Sequence, residues 1–470
     1  MTTARLRRPL PALIGALIVL GLLAGPAAAA PTPPTAPGSL TQLEGEAGCL
    51  VNSGSKGPKS CGSARALKGP GPFMGSQAIA VSPDGKNVYV ASSKSDAIAI
   101  FSRDKKSGEL SQAAGSGGCI SNKGNGGCAK AVGLNGPNSV AVSADGKNVY
   151  ATARDSNAVL SFRRNKKDGS LRPLAGAACY TGLSLPAGCL PALGLLAPDV
   201  VAVSADGKNV YVGSFFGNSV ASFAREEKRG VLTQLAGSAG CIAEATAGCA
   251  TGIGLGAVEG LAVSRDGSAV YAASALSNAL VELSRNPETG ALTQATDGSG
   301  CIVDSPLSGC TNGVWIEGAN AVATSPGSDV VYVTSLLSNS VTTFAPSTTS
   351  AGLRQKEGPA GCMVWLRAVG CSFGRAMRAP EGIAVSPDGF NVYVASFATG
   401  AIDVLLRNRE SGNIAQKPNA AGCLAPKSVP GCTPARALKG VSSIALSPDG
   451  RFVYSTSFGS NAVDIFRREK

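Results

Sequence analysis

The chain has 470 residues, with 14 cysteines, 61 glycines and no histidine, and 42 Lys and Arg against 30 Asp and Glu give a formal charge of +12. The missing histidine excludes Ser-His-Asp and Cys-His nucleophiles, His-ligated zinc and an imidazole general base. At 44% hydrophobic and 15% charged residues the chain can bury a core, which excludes wholesale disorder, and its length suggests about three domains of ~150 residues.

Arg5, Arg7 and Arg8 precede an apolar run from Leu13 to Leu23, and Ala27 to Ala30 supply small residues. This is the pattern of a secretory signal peptide over residues 1–30. The apolar run is shorter than the ~20 residues of a membrane span, so no span is expected. Pro9, directly after Arg7-Arg8, argues against a twin-arginine signal, and no cysteine follows closely enough for a lipid anchor. Residues 31–37 read as a Pro-rich tether, and 38–470 as the folded domain.

That domain is a repeat. Val-Tyr recurs at 88–89, 149–150, 210–211, 270–271, 331–332, 392–393 and 453–454, in steps of 61, 61, 60, 61, 61 and 61 residues. An Asp-Gly turn precedes six of the seven, and the fifth copy reads Pro326-Gly327-Ser328-Asp329 instead. A fixed period of this kind turns three domains into one repeat domain. In the second copy, Val140-Ala141-Val142 is an apolar strand and Asp145-Gly146 a turn. Val149-Tyr150-Ala151-Thr152 is a second strand, Ser156-Asn157 a turn, and Val159-Leu160-Ser161-Phe162 a third strand. Leu171-Arg172-Pro173-Leu174 follows as a fourth, edge-like strand. Seven four-stranded antiparallel units predict an all-β, seven-bladed β-propeller. The last copy stops after its third strand, while Gly38 to Leu43 resembles the fourth strand at Gly230 to Leu235. The N-terminal strand is therefore expected to complete the last blade.

The run Ser82-Pro83-Asp84-Gly85-Lys86-Asn87-Val88-Tyr89-Val90-Ala91-Ser92 resembles the YVTN-type repeat of the lactonase-like propellers, the group of 6-phosphogluconolactonase and carboxymuconate cyclase. The resemblance covers residues 38–470 in all seven copies and implies the fold. It implies activity only weakly, because propellers host many functions. The group's catalytic apparatus leans on Arg, Glu and His, and the histidine component is absent here.

The cysteines fall in pairs, one per repeat: Cys49-Cys61, Cys119-Cys128, Cys179-Cys189, Cys241-Cys249, Cys301-Cys310, Cys362-Cys371 and Cys423-Cys432. In an exported chain an even set of this kind reads as disulfides stapling one loop per blade. A thiolate metal site would call for C-x-x-C spacing. The loops are expected on the same face as the Ser-Asn turns, opposite the Asp-Gly turns.

A polar residue leads into each innermost strand: Gln77, Asn138, Asp199, Glu259, Asn320, Glu381 and Ser442. In a closed propeller they form a ring at the channel mouth. Asn138, Asp199, Glu259, Asn320 and Glu381 are the candidate ligand or metal residues, with Ca2+ the candidate cofactor because calcium takes six to eight oxygens. The alternatives are a hydrated rim and a carboxylate pair for acid–base work. No catalytic residue is assigned. Arg103, Lys105, Lys106, Arg163, Arg164, Lys166, Lys167, Arg225, Lys228, Arg229, Arg285, Arg407, Arg409, Arg467 and Arg468 fall in turns between third and fourth strands, which predicts an electropositive short-turn face of solvated hairpin tips. Phe101, Phe162, Phe223, Phe344 and Phe466, with Leu283 and Leu405, are expected between blades, and Trp315 and Trp365 in long loops.

Two functional readings follow. One is a monomeric, secreted, periplasmic or envelope-located binding scaffold. Its partner would be a protein or small ligand at the loop face and channel mouth, or an anionic envelope polymer on the basic face. The other, implied by the resemblance, is a lactone-acting hydrolase or carboxymuconate-cyclase-like enzyme, with calcium as its candidate ion. No nucleic-acid recognition motif is present.

Overall fold

Local signals fold each repeat. In the second blade Pro137–Val142, Asn148–Ala153 and Ala158–Arg164 form three antiparallel strands. Gly146, at φ 67°, makes the first turn, where glycine carries a positive φ at no steric cost. The Ser143 hydroxyl and Lys147 N–H both donate to Asp145 Oδ1, at 2.6 and 3.0 Å. Asn157, at φ 49°, closes the second turn, since asparagine tolerates the left-handed region. Its Oδ1 also accepts from Ala197 N at 2.7 Å, tying the turn to the lead-in of the next blade. Asn218, Asn278, Asn339 and Asn461 repeat that conformation and that bond.

The computed structural model describes residues 37–71, 77–176, 178–183, 188–348 and 352–470. The expected signal peptide and all but the last residue of the tether lie outside them. The described chain forms seven sheets, one per repeat, and is a seven-bladed β-propeller. Each sheet has six strands rather than the expected four. The fourth strand is split: in blade two, Leu171–Pro173 pairs with the end of the third strand and Cys179–Thr181 with its beginning. Cys189–Pro191 then adds a short parallel strand. The split follows from the Gly-containing turn between the halves, which in blade three is a single 3-10 turn at Gly237–Gly240.

All seven cysteine pairs are disulfides, with Cα–Cα distances of 4.7 to 5.0 Å. Each closes one loop per blade, as expected, spanning 8 to 12 positions. The first cysteine of each pair lies in the outer strand, Cys179 directly opposite both Leu160 and Cys189. Each bond therefore fastens the extra parallel strand to the rim of its blade. This chemistry fits an oxidising compartment.

The chain closes on itself as expected. Leu40–Gln42 and Cys49–Asn52 both pair with Ala462–Arg468, placing Leu40 opposite Arg468 and Leu50 opposite Val463. Phe101, Phe162, Phe223, Leu283, Phe344, Leu405 and Phe466 are all 0% exposed, each worth about 1.5–3 kcal/mol on burial.

Six of the basic residues expected at solvated tips are instead buried. Arg103, Arg164, Arg225, Arg285, Arg407 and Arg468 are 4–6% exposed. Each ends its third strand and reaches back to the previous blade. Arg225 Nε donates to Tyr150 Oη at 2.8 Å, and its Nη2 donates to the Asp145 carboxylate at 2.9 Å and to Asn148 Oδ1 at 2.8 Å. Its Nη1 donates to the Gly207 carbonyl at 3.0 Å in its own blade. The Tyr150 hydroxyl in turn donates to Gly230 O at 2.8 Å. The same Arg–Tyr clamp joins Arg164 to Tyr89, Arg285 to Tyr211, Arg407 to Tyr332, Arg468 to Tyr393 and Arg103 to Tyr454. Blade five ends its third strand on Pro346, so the junction of blades four and five has no clamp. Lys105, Lys106, Lys166, Lys167, Lys228 and Arg409 do remain exposed on the short-turn face.

Candidate functional site

The innermost strands start on the face of the Asn turns, and in blades two to seven the ladder skips register as they do so, between Pro137 and Val140 in blade two. The skip falls at the ring residue itself. Asn138, Asp199, Glu259, Asn320, Glu381 and Ser442 are at most 2% exposed, so they are packed into a closed ring rather than laid along an open rim. They bond sideways. Asn138 Nδ2 donates to Asp199 Oδ1 at 2.6 Å, and Asn320 Nδ2 donates to Pro380 O at 3.1 Å while its Oδ1 accepts from Thr334 at 2.8 Å. The Ser442 hydroxyl donates to Gly71 O at 3.0 Å. Gln77 alone is partly exposed, and its Nε2 donates across the axis to Leu261 O at 3.0 Å.

The three carboxyls sit on consecutive or near-consecutive blades and feel one another. Burial pushes Asp199 up to about 7, against the opposing charge of Arg154. Burial pushes Glu259 well above its usual range, reinforced by the charges of Asp199 and Glu381. Glu259 Oε1 is buried without a hydrogen-bond partner. Among the described residues no group of three or more Asp, Glu or Cys is gathered closely enough to hold a metal ion.

Arg154 escaped the sequence reading. Its Nη1 donates to Asp199 Oδ2 at 3.3 Å, and its guanidinium lies over the rings of Phe215 and Phe216 at 4.6 and 5.7 Å. The signal was available: the same turn position holds Ser93, Phe215, Ala275, Leu336, Phe397 and Phe458 in the other blades, so Arg154 is the one charge at that place. Beneath the ring lies an open pocket of about 580 Å3, with apolar walls including Val142, Val201, Val263 and Ile383, and with Arg265 at the Asp-Gly end.

The face above the ring has its own asymmetry. Phe216, Leu276 and Leu337 occupy one turn position in blades three, four and five and are 64%, 70% and 63% exposed. The equivalent residues in the other four blades are Lys94, Asp155, Ala398 and Gly459. Trp315 and Trp365 are half-buried, with the Arg378 guanidinium 5.4 Å from the Trp365 ring. Two further carboxyls are buried in the third strands of blades six and seven. Burial pushes Asp403 up to about 8 although Ser396, Arg375 and Gln416 favour its charge, and it raises Asp464 well above its usual range against Ser457, Ser455 and Arg436.

The family model described as Lactonase, 7-bladed beta-propeller, matches residues 69–181. No curated protein matches the chain. Among solved structures, a provisionally assigned 6-phosphogluconolactonase from Bacteroides fragilis superposes with a TM-score of 0.51 at 18% identity, over 72% of this chain and 81% of that one. A protein of unknown function from Desulfotomaculum acetoxidans superposes with a TM-score of 0.52 at 14% identity, over 81% and 92%. At these identities the likeness is one of fold. The chain is thus a seven-bladed β-propeller, and its residues 69–181 match the Lactonase family model.

Proposed function

We propose that this chain is an exported binding scaffold that engages an apolar surface of a partner through the Asn-turn face. The observation that carries the reading is the arc of Phe216, Leu276 and Leu337, three large apolar side chains more than 60% exposed at one repeat position of adjacent blades. Exposed apolar patches on an otherwise polar surface mark interaction sites, and a rigid propeller is a good platform for them. Six of the seven ring residues beneath are at most 2% exposed, which leaves the tips above as the accessible chemistry. Export is supported by the basic and apolar leader pattern of residues 1–30 and by the disulfides.

The test immobilises the oxidised protein and challenges it with the exported proteins of its own cells. The Phe216→Ser, Leu276→Ser, Leu337→Ser triple variant is compared with Lys147→Ala, Lys208→Ala on the opposite face. A partner lost only by the triple variant supports the reading, and retention that ignores it overturns the reading.

A lactone-acting enzyme is the second reading, favoured by the Lactonase match at 69–181 and by the cation of Arg154 beside Asp199, which burial pushes up to about 7, with the buried carboxyl of Glu259 raised in the same direction. A buried acid of that kind can protonate a leaving oxygen. Turnover of a lactone panel that falls at least tenfold in Glu259→Gln would put this reading first.

A further inference from the structure

The Arg–Tyr clamp is repeated at six blade junctions and broken at the seventh. Between blades four and five, Pro346 replaces the arginine and Ala269 stands where blades one, two, three and six have an asparagine acceptor. Two of the acceptors of the missing guanidinium remain, the Asp266 carboxylate and the Tyr271 hydroxyl. Asp266 still holds its turn, through Ser264 Oγ at 2.6 Å and Ser268 N at 3.0 Å, and no arginine reaches it. Tyr271 is 5% exposed, and among the described residues its hydroxyl makes no hydrogen bond, unlike the six other repeat tyrosines.

A second change adds to the first. Glu282, directly opposite Tyr271 in the ladder, replaces Ile100, Ser161, Ser222, Thr343, Val404 and Ile465 of the other blades. It is partly buried and, among the described residues, accepts from Leu353 N of blade five at 3.0 Å. The result is a cavity of about 220 Å3 lined by Asp266, Tyr271, Glu282 and Asp329, with Arg265 as its one cation among the described residues. That is below the ~300–1,000 Å3 of drug-sized sites and suits a single side chain or a small ion.

We propose that this gap is a binding site for a guanidinium group carried on an aliphatic chain, which takes the place of the absent arginine between blades four and five. A guanidinium presents five donors in a fixed planar fork, and five of the six sister junctions show that fork satisfied by Asp, Tyr and a backbone carbonyl at 2.6–3.5 Å, with Ser328 in place of the Asp at the sixth. The excess of three carboxylates over one arginine favours a cation, and the site lies on the Asp-Gly face, away from the apolar arc.

The experiment is calorimetric titration of the oxidised full-length secreted protein with agmatine, with an acetyl-Gly-Arg-Gly-amide peptide and with butylamine. Saturable one-to-one binding of a guanidine, at least tenfold tighter than butylamine, is expected. Tighter binding of the peptide than of agmatine identifies a protein arginine as the source, and the reverse a free guanidine. Glu282→Gln and Asp266→Asn should each weaken binding at least tenfold. Pro346→Arg should abolish it by restoring the built-in occupant, with a higher Tm. Absence of guanidine binding, equal binding of butylamine, or binding indifferent to Glu282→Gln and Asp266→Asn would overturn the proposal, and these results stand even if Pro346→Arg fails to fold.

Discussion

Replacing Arg225 by alanine measures what one clamp contributes. The guanidinium serves four acceptors in two blades: Tyr150 Oη, the Asp145 carboxylate, Asn148 Oδ1 and Gly207 O. Breaking a buried ion pair by removing one member costs about 3–5 kcal/mol. Asp145 is 31% exposed at its side chain, so water recovers part of its share. Buried acceptors left without a donor cost about 1–3 kcal/mol each, reduced where the vacated space admits water. The net expectation is about 3 kcal/mol, which at ~2.1 cal/mol/K per residue lowers Tm by only about 3 °C in a chain of this size. Urea unfolding with the disulfides intact is therefore the sharper assay. The loss should also depend on pH. Burial opposes ionisation of Asp145, but bonds from Ser143, Lys147 and Arg225 outweigh it and hold the group down to about 2. A depressed acid contributes stability above its unfolded pKa of ~4 and loses it as pH falls through its folded value, so the cost of Arg225→Ala should be full above pH ~4 and shrink toward pH ~2. A loss under about 0.5 kcal/mol at neutral pH would refute the clamp, as would full rescue by Arg225→Lys, whose single ammonium cannot span the fork.

Three more expectations follow from the same geometry. Asp403, pushed up to about 8 by burial, keeps its proton in the folded chain while the unfolded chain loses it near pH ~4, so its contribution makes stability fall as pH rises from about 4 to about 8. Asp403→Asn removes that contribution, and the difference in urea midpoint between variant and parent should grow in the variant's favour across this window; a constant difference contradicts the assignment. Removing the Cys241–Cys249 bond, which spans 8 residues, with a double Ser substitution should cost about 2.5 kcal/mol by chain entropy, read as a urea midpoint shift; no shift would show that the rim strand is held by its backbone alone. Leu40→Asp puts a charge on a side chain 5% exposed opposite Arg468 and should free the N-terminal strand to limited proteolysis; cleavage unchanged from the parent contradicts strand-exchange closure.

Much of the fold was legible because the repeat displays it seven times. Val-Tyr, Asp-Gly and the cysteine pairs each fix one local event, and the 61-residue period fixes their number. The split outer strand was not legible, since Leu171 to Leu174 and Cys179 to Thr181 read separately as one strand and one loop. The arginines were visible but misplaced. Tyr89 to Arg103, Tyr150 to Arg164 and their equivalents are separated by 14 residues throughout, yet a basic residue next to a turn reads as solvated until the neighbouring blade supplies its acceptors. For the same reason the ring residues could be listed by position while their burial could not, because the groups that cover them come from adjacent blades. The one broken clamp was written in the sequence as Pro346, and it gained meaning only once the other six were seen to be made.

The pairing of Leu40 with Arg468 joins residues 428 positions apart, whereas the ladders of the first six blades and the clamps that join those blades to one another link residues about 80 positions apart or fewer. Loop-closure entropy grows as (3/2)RT ln n, so this last join costs roughly 1.7 kcal/mol more than a join across one repeat. It is also the only sheet whose strands are made at opposite ends of synthesis. The six local blades can form as they emerge, while the seventh waits for the final strand, leaving the hydrophobic faces of the first and sixth blades uncovered until then. Folding of this ring is therefore timed by its end, and the interval before closure is when the chain is most exposed to mispairing with another copy.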